Sequence, residues 1–173
     1  MLENDEFKAG LIENLPHLRA FAHLMARNHA TAEDLVQDTV MRALAKRHQF
    51  KPGTNLKGWL IIILRNRFFN HVRKSSWKSE VSVERIQDMR SVDGGQEIAI
   101  ELRDFKEAFQ RLPATHREAL ILVGASGHSY EEAAEIADCP VGTMKSRVSR
   151  ARAELERQLH GVELPEAWLR KVA

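Results

Sequence analysis

The sequence predicts an all-α protein of two small helical domains joined by a flexible linker, the second containing a helix-turn-helix. Three observations carry that prediction. Apolar residues recur at helical spacing along most of the chain, and no alternating strand pattern is long enough to count. The periodicity lapses between residues 79 and 95, where Ser, Gly and the acids Glu80, Glu84, Asp88 and Asp93 gather before Gly94 and Gly95. From Ser129 to Arg152 the chain reads as a short helix, a tight turn and a basic second helix. The expected bounds are a first domain over 1–78, a linker over 79–95, a second domain over 96–160 and a tail over 161–173.

The elements follow in order. Phe7, Leu11 and Leu15 mark a first helix, and Pro16 is placed to start a second carrying Leu18, Phe21, Ala22 and Met25 on one face. Thr31 and Asp34 are expected to start a third, with Val36, Val40, Ala43 and Leu44 on its buried side. Asp34, Gln37, Asp38 and Met41 share another face of that helix at i, i+3, i+4, i+7, a polar stripe with one Met that suits docking. Pro52 and Gly53 mark a loop, after which a long helix runs from about Leu56 to Lys74. Its apolar stretch from Trp59 to Leu64 is read as core.

In the second half Ile100, Phe105, Phe109 and Leu112 point inward before Pro113. Thr115 and Glu118 form a capping pair for a helix holding Leu120, Ile121 and Val123, which ends near Gly127. Ser129 and Glu132 make a second capping box, for a helix running to about Ala137. After Asp138, Cys139 and Pro140, the residues Met144, Val148, Ala151 and Leu155 form one apolar stripe. Pro165 to Val172 has the length for a last short helix, in which Trp168 and Leu169 are packing residues.

Composition narrows the function. At 173 residues and 43% hydrophobic content the chain has room for packed cores, each small enough to leave a modest margin of stability. Net charge is only +2, so any affinity for nucleic acid must come from how charge is distributed. The distribution is uneven. No Asp or Glu occurs from Thr39 to Ser79, a window holding Arg42, Lys46, Arg47, Lys51, Lys57, Arg65, Arg67, Arg73, Lys74 and Lys78. No acid occurs between Asp138 and Glu154 either, leaving Lys145, Ser146, Arg147, Ser149, Arg150 and Arg152 around the apolar stripe of a helix shaped for the major groove. In the first half, Arg65, Asn66, Arg67, Phe68, Phe69, Asn70, His71, Arg73, Lys74 and Trp77 interleave cations, amides and aromatics as single-strand binders do; Phe68 and Phe69 are read as core. The loop from Gly53 to Leu56 can form a polar pocket for an extruded base.

Catalysis is not expected. The eight histidines show no zinc-ligand pairing with cysteine, and His23 and His29 are read as surface or partly buried helix residues. There is no Gly-rich phosphate loop and no nucleophile motif, so no metal or cofactor is assigned. The single Cys139 excludes an internal disulfide and suits a reducing compartment. No signal peptide opens the sequence and no run reaches the roughly 20 apolar residues of a membrane span, so a soluble cytoplasmic protein is expected.

Taken together these words resemble an extracytoplasmic-function (ECF) sigma factor of bacterial RNA polymerase. The matching stretches are Ala32-Glu-Asp-Leu-Val-Gln-Asp-Thr-Val-Met-Arg-Ala-Leu44, Asn55-Leu-Lys-Gly-Trp-Leu60 with Leu64-Arg-Asn-Arg67, and Ser129-Tyr-Glu-Glu through Val141-Gly-Thr-Met-Lys-Ser-Arg-Val-Ser-Arg-Ala-Arg152. The stretch from Leu112 to Tyr130 looks most like the general-stress-response subgroup of alphaproteobacteria. His128, where an aromatic is common, and Cys139 in the turn depart from the pattern.

The resemblance implies a region 2-like first domain that docks on core polymerase and melts the promoter, and a region 4-like second domain that reads the upstream element. It implies docking on the polymerase clamp by Asp34, Gln37, Asp38 and Met41, and capture of the start-proximal element by Thr54, Asn55, Asn66, Arg67, Arg73 and Lys74. Lys145, Ser146, Arg147, Ser149, Arg150 and Arg152 would meet the upstream element. A small helical anti-sigma factor is the implied inhibitor. Two other readings are weighed. A sigma-like decoy that sequesters the anti-sigma factor has no use for the basic groups of the last helix. A dimeric repressor would leave the acid-free first half unexplained.

Overall fold

The computed structural model describes residues 4–78 and 96–159, with side chains described over 5–74 and 103–159. The expected linker 79–95, the side chains of Trp77, Lys78 and Ile100, and the tail with Trp168 and Leu169 lie outside the described residues. Within them all regular structure is helical: α1 (Asn4–Met25), α2 (His29–Ala45), a 3-10 turn (Arg47–Gln49), α3 (Leu56–Lys78), α4 (Gln96–Arg111), α5 (Ala114–Leu120), a π-helical turn (Ile121–Ala125), α6 (Tyr130–Ile136) and α7 (Val141–Leu159). The chain divides into two compact units, Met1–Asp88 and Met89–Ala173.

In the first unit α1, α2 and α3 pack on one another around Leu18, Phe21, Met25, Leu35, Val36, Leu60, Ile61, Leu64 and Phe68. Phe7, Phe50 and Trp59 close one end of this core, with ring centroids 5.5 to 6.2 Å apart.

Three expectations are corrected here. Pro16 does not start a helix; it lies inside α1, exposed. An interior proline costs a helix about 3 kcal/mol, but Leu18, Phe21 and Met25 beyond it are each worth about 1.5–3 kcal/mol when buried, so the continuous apolar stripe outweighs the break. The helix expected at Thr31 starts earlier, because Asn28 is the better cap: its side chain accepts from the Thr31 N–H at 2.8 Å. The buried side of α2 is Ala32, Leu35, Val36, Thr39 and Ala43, while Val40 is half-buried and Leu44 exposed. Thr39 is tolerated inside because its hydroxyl donates to the Leu35 carbonyl at 2.7 Å.

In the second unit α7 packs against α4, α5 and α6. Its stripe of Met144, Val148, Ala151 and Leu155 is buried, extended by Leu159. The capping box of α6 is present in both halves: the Glu132 N–H donates to the Ser129 hydroxyl at 3.1 Å, and the Ser129 N–H to the Glu132 carboxylate at 2.9 Å. The expected pair Thr115 and Glu118 does not cap α5. Pro113 stands at that position, and Glu118 is wholly buried, its side chain turned into the core instead of back along the helix. Its neighbour Arg117 is buried too and donates to the Gln110 and Leu112 carbonyls at 2.9 and 3.2 Å, pinning the α4–α5 corner. The helix then widens into the π turn and stops at Gly127, whose φ of +72° suits glycine, as the His128 N–H closes on the Leu122 carbonyl at 3.0 Å. The α6–α7 turn passes through Asp138 at φ +49°, which Asp tolerates, and leaves Cys139 half-buried.

Candidate nucleic-acid interface

On α7 the buried stripe fixes what remains outside. Lys145, Ser149 and Arg150 are exposed, Ser146 and Arg152 half-buried. Lys145 lies 5.6 Å over the Tyr130 ring of α6, a cation–π contact that holds the ammonium at the helix-turn-helix surface. The Ser146 hydroxyl donates to the Thr143 carbonyl at 2.9 Å, leaving its lone pairs free to accept. Arg147 differs from the others: it is half-buried, and its Nη1 is shut from solvent with no hydrogen-bond partner among the described residues. It sits at the margin between the stripe and the outward face.

His116 of α5 lies beside this margin, lining a hollow with Pro113, Arg150, Ala153, Glu154 and Arg157. Burial first, then the charges of Arg150 and Arg147, push its pKa below the usual imidazole value, against a smaller opposing effect of Glu154. Sequence reading gave no hint of this neighbour, because it comes from another helix. The consequence has a sign. Below the ordinary value of 6.5 the unfolded chain takes up a proton that the folded unit resists. The stability tied to His116 is therefore present above that pH and lost as pH falls through the lowered pKa. Urea unfolding at pH 7.5 and 5.5 is expected to show a smaller loss of stability on acidification in His116→Gln than in the native sequence.

In the first unit the exposed face of α3 carries the second set. Asn66 and Arg73 line an open groove with Arg65, Phe69, Asn70 and Val72. Phe68 is core as expected; Phe69 is half-buried, with the Arg65 guanidinium 5.0 Å over its ring. That stacked pair is a platform on which a base can compete with the guanidinium. Lys74 is exposed toward the C-terminal end of α3.

Thr54 and Asn55 are used by the loop itself. The Thr54 hydroxyl donates to the Lys51 carbonyl at 2.6 Å, and the Asn55 side-chain oxygen accepts from the Gly58 N–H at 2.9 Å, capping α3. Asn55→Ala is therefore expected to cost about 1 kcal/mol of stability. Asn55→Asp, an equally good cap, should restore it in a urea titration; any promoter defect that persists in Asn55→Asp then belongs to base contact.

Asp34, Gln37 and Met41 are exposed on α2, Met41 at 71%. The half-buried Asp38 is engaged: one carboxylate oxygen accepts from Arg42 Nε at 3.2 Å and the other from Arg67 of α3. Two of the ten cations in the acid-free window are thus answered by the acid just outside it. Asp38 and Arg67, assigned to different surfaces by sequence, form one bridge between α2 and α3.

Comparison with known proteins agrees along the chain. The model of Sigma-70 region 2 matches residues 11–78, and that of Sigma-70 region 4 matches residues 96–155. An ECF RNA polymerase sigma factor, EcfG of Rhodopseudomonas palustris, is 45% identical over 156 residues, covering 90% of this chain and 86% of that protein. RNA polymerase sigma factor HrpL of Pseudomonas syringae is 30% identical over 157 residues, covering 85% and 83%. Among solved structures, the sigma factor RpoE in complex with the anti-sigma factor NepR from Bartonella quintana superposes with a TM-score of 0.80 at 47% identity, covering 91% of this chain and 99% of that one.

Proposed function

Since this chain belongs to the ECF sigma factors of bacterial RNA polymerase, we propose that its two basic surfaces act on one promoter, α3 at the melted start-proximal element and α7 at the upstream element. The chain binds core polymerase and directs promoter-specific initiation; it regulates transcription and is not an enzyme. The observation that carries the residue-level reading is α7, a helix whose buried stripe leaves Lys145, Ser146, Ser149 and Arg150 outward with no acid before Glu154.

Asp34, Gln37 and Met41, exposed together on α2, are the face offered to the polymerase clamp; Asp38 braces that face through Arg67. Asn66, Arg73 and Lys74 serve the single strand, with Thr54 and Asn55 shaping the loop at the start of α3. A small helical anti-sigma factor restrains the chain, a reading supported by the similar RpoE having been crystallised with NepR. The genes served are those of the general stress response, supported by the 45% identity to EcfG and by the stretch from Leu112 to Tyr130. The protein acts in the cytoplasm with the polymerase; no helix among the described residues is long and apolar enough to cross a membrane. The decoy reading has no observation in its favour.

The test is promoter opening. Core polymerase with this chain should render thymines near a start site reactive to permanganate, and core alone should not. Co-purification with core without any opened DNA would contradict the proposal.

A further inference from the structure

Where the C-terminal end of α1 meets the first turn of α2, His23, His29 and Glu33 bring two imidazoles and a carboxylate together, one ligand atom from each lying within 4.8 Å of the others. Sequence spacing conceals the group, since His23 stands on a different helix from the i, i+4 pair His29 and Glu33. The geometry points to a binding site for a divalent transition metal, and we propose zinc(II) as its occupant. The proposal is independent of the promoter reading and fails or stands without it.

Three details carry it. His23 Nε2 is 3.1 Å from Glu33 Oε1, close to the roughly 3.4 Å that separates two ligands on one tetrahedral zinc with bonds near 2.0–2.1 Å. The His23 and His29 rings lie 4.9 Å apart between centroids, and a ring nitrogen of each falls within 4.8 Å of the other and of the Glu33 carboxylate. His29 is exposed at the first position of α2, free to swing the remaining ångström or so that closes the triad.

The other carboxylate oxygen of Glu33 is 3.8 Å from Arg19 Nε, a placement that orients the carboxylate while leaving Oε1 toward the histidines. The guanidinium charge lowers affinity relative to the same triad without it. Two neutral imidazoles and one carboxylate suit zinc's borderline character, and three protein ligands leave the fourth position to water. Bound there, the ion ties α1 to α2 across Ala26, Arg27 and Asn28.

The experiment uses the full chain stripped with EDTA. Zinc chloride is titrated calorimetrically, and cobalt(II) chloride is followed by visible absorption. A 1:1 site with micromolar or tighter affinity is expected, with a tetrahedral cobalt spectrum and a thermal midpoint raised by zinc. His29→Ala at the exposed ligand and Glu33→Gln at the half-buried one should each weaken binding at least tenfold and abolish the thermal shift. His17→Ala and His48→Ala, histidines outside the triad, should leave both unchanged. Absence of a saturable 1:1 site of micromolar or tighter affinity, or binding indifferent to His29→Ala and Glu33→Gln, overturns the proposal.

Discussion

Leu155→Ala is expected to lower the stability of the second unit by about 2–5 kcal/mol, the cost of emptying a fully buried leucine site that its surroundings refill only in part. Leu155 lies on the stripe that seats α7 among α4, α5 and α6, and the unit is small, so this is a large share of a total that for domains is about 5–15 kcal/mol. The functional consequence follows from geometry: that stripe seats α7 on its neighbours, so loosening it blurs the placement of Lys145, Ser149 and Arg150 together. Leu155→Met, which keeps the volume, should cost less than about 1.5 kcal/mol and preserve promoter selectivity. Urea unfolding with transcription at 25 and 37 °C separates the two variants. Equal stability of Leu155→Ala and the native chain would mean that α7 is not anchored by this face.

The second large effect is expected at Arg150. Arg150 is exposed on α7 and lines the hollow beside His116, and under the proposed function its guanidinium pairs with a base edge. Arg150→Ala should weaken promoter binding by the holoenzyme by about 1–3 kcal/mol, roughly fivefold to over a hundredfold, and relax selectivity at one position of the upstream element. Lys74→Ala, removing an exposed cation from the start-proximal surface, should weaken all promoters alike and flatten the salt dependence by close to one counterion. The pattern is as informative as the size. Arg147→Ala should behave differently from both, costing stability as well as binding, because part of its guanidinium is enclosed. If Arg150→Ala lowered binding uniformly across upstream-element variants, its role would be phosphate contact and not base reading.

Features written in local sequence were legible. The Ser129–Glu132 box is decided by residues three apart, and the stripe from Met144 to Leu155 by a period that repeats through four members. What escaped was decided between helices. Pro16 looked like a start because its local preference is strong, but the stripe on either side of it is buried against α2 and α3 and carries the helix through. Ala43 is buried as its spacing predicts, but Leu44 reads as core by the same spacing and is exposed, because α2 turns Thr39 inward, satisfying the threonine hydroxyl on its own backbone. Glu118 has the spacing of a cap residue and the burial of a core residue, which no window of sequence separates. The site shows the same division. Sequence identified the outward residues of α7, while the Asp38–Arg67 bridge, the placement of His116 against Arg147 and Arg150, and the His23–His29–Glu33 group all needed the packing of one helix on another.

The most direct measurement is multi-round transcription from fragmented genomic DNA by bacterial core polymerase, with and without this chain, mapping every 5′ end. New starts preceded by two motifs at fixed spacing are expected, and among them Arg150→Ala should lose selectivity in the upstream motif while the start-proximal motif is unchanged. No new starts, alongside tight binding to an anti-sigma protein, would contradict a promoter-directing role and leave the chain as a decoy.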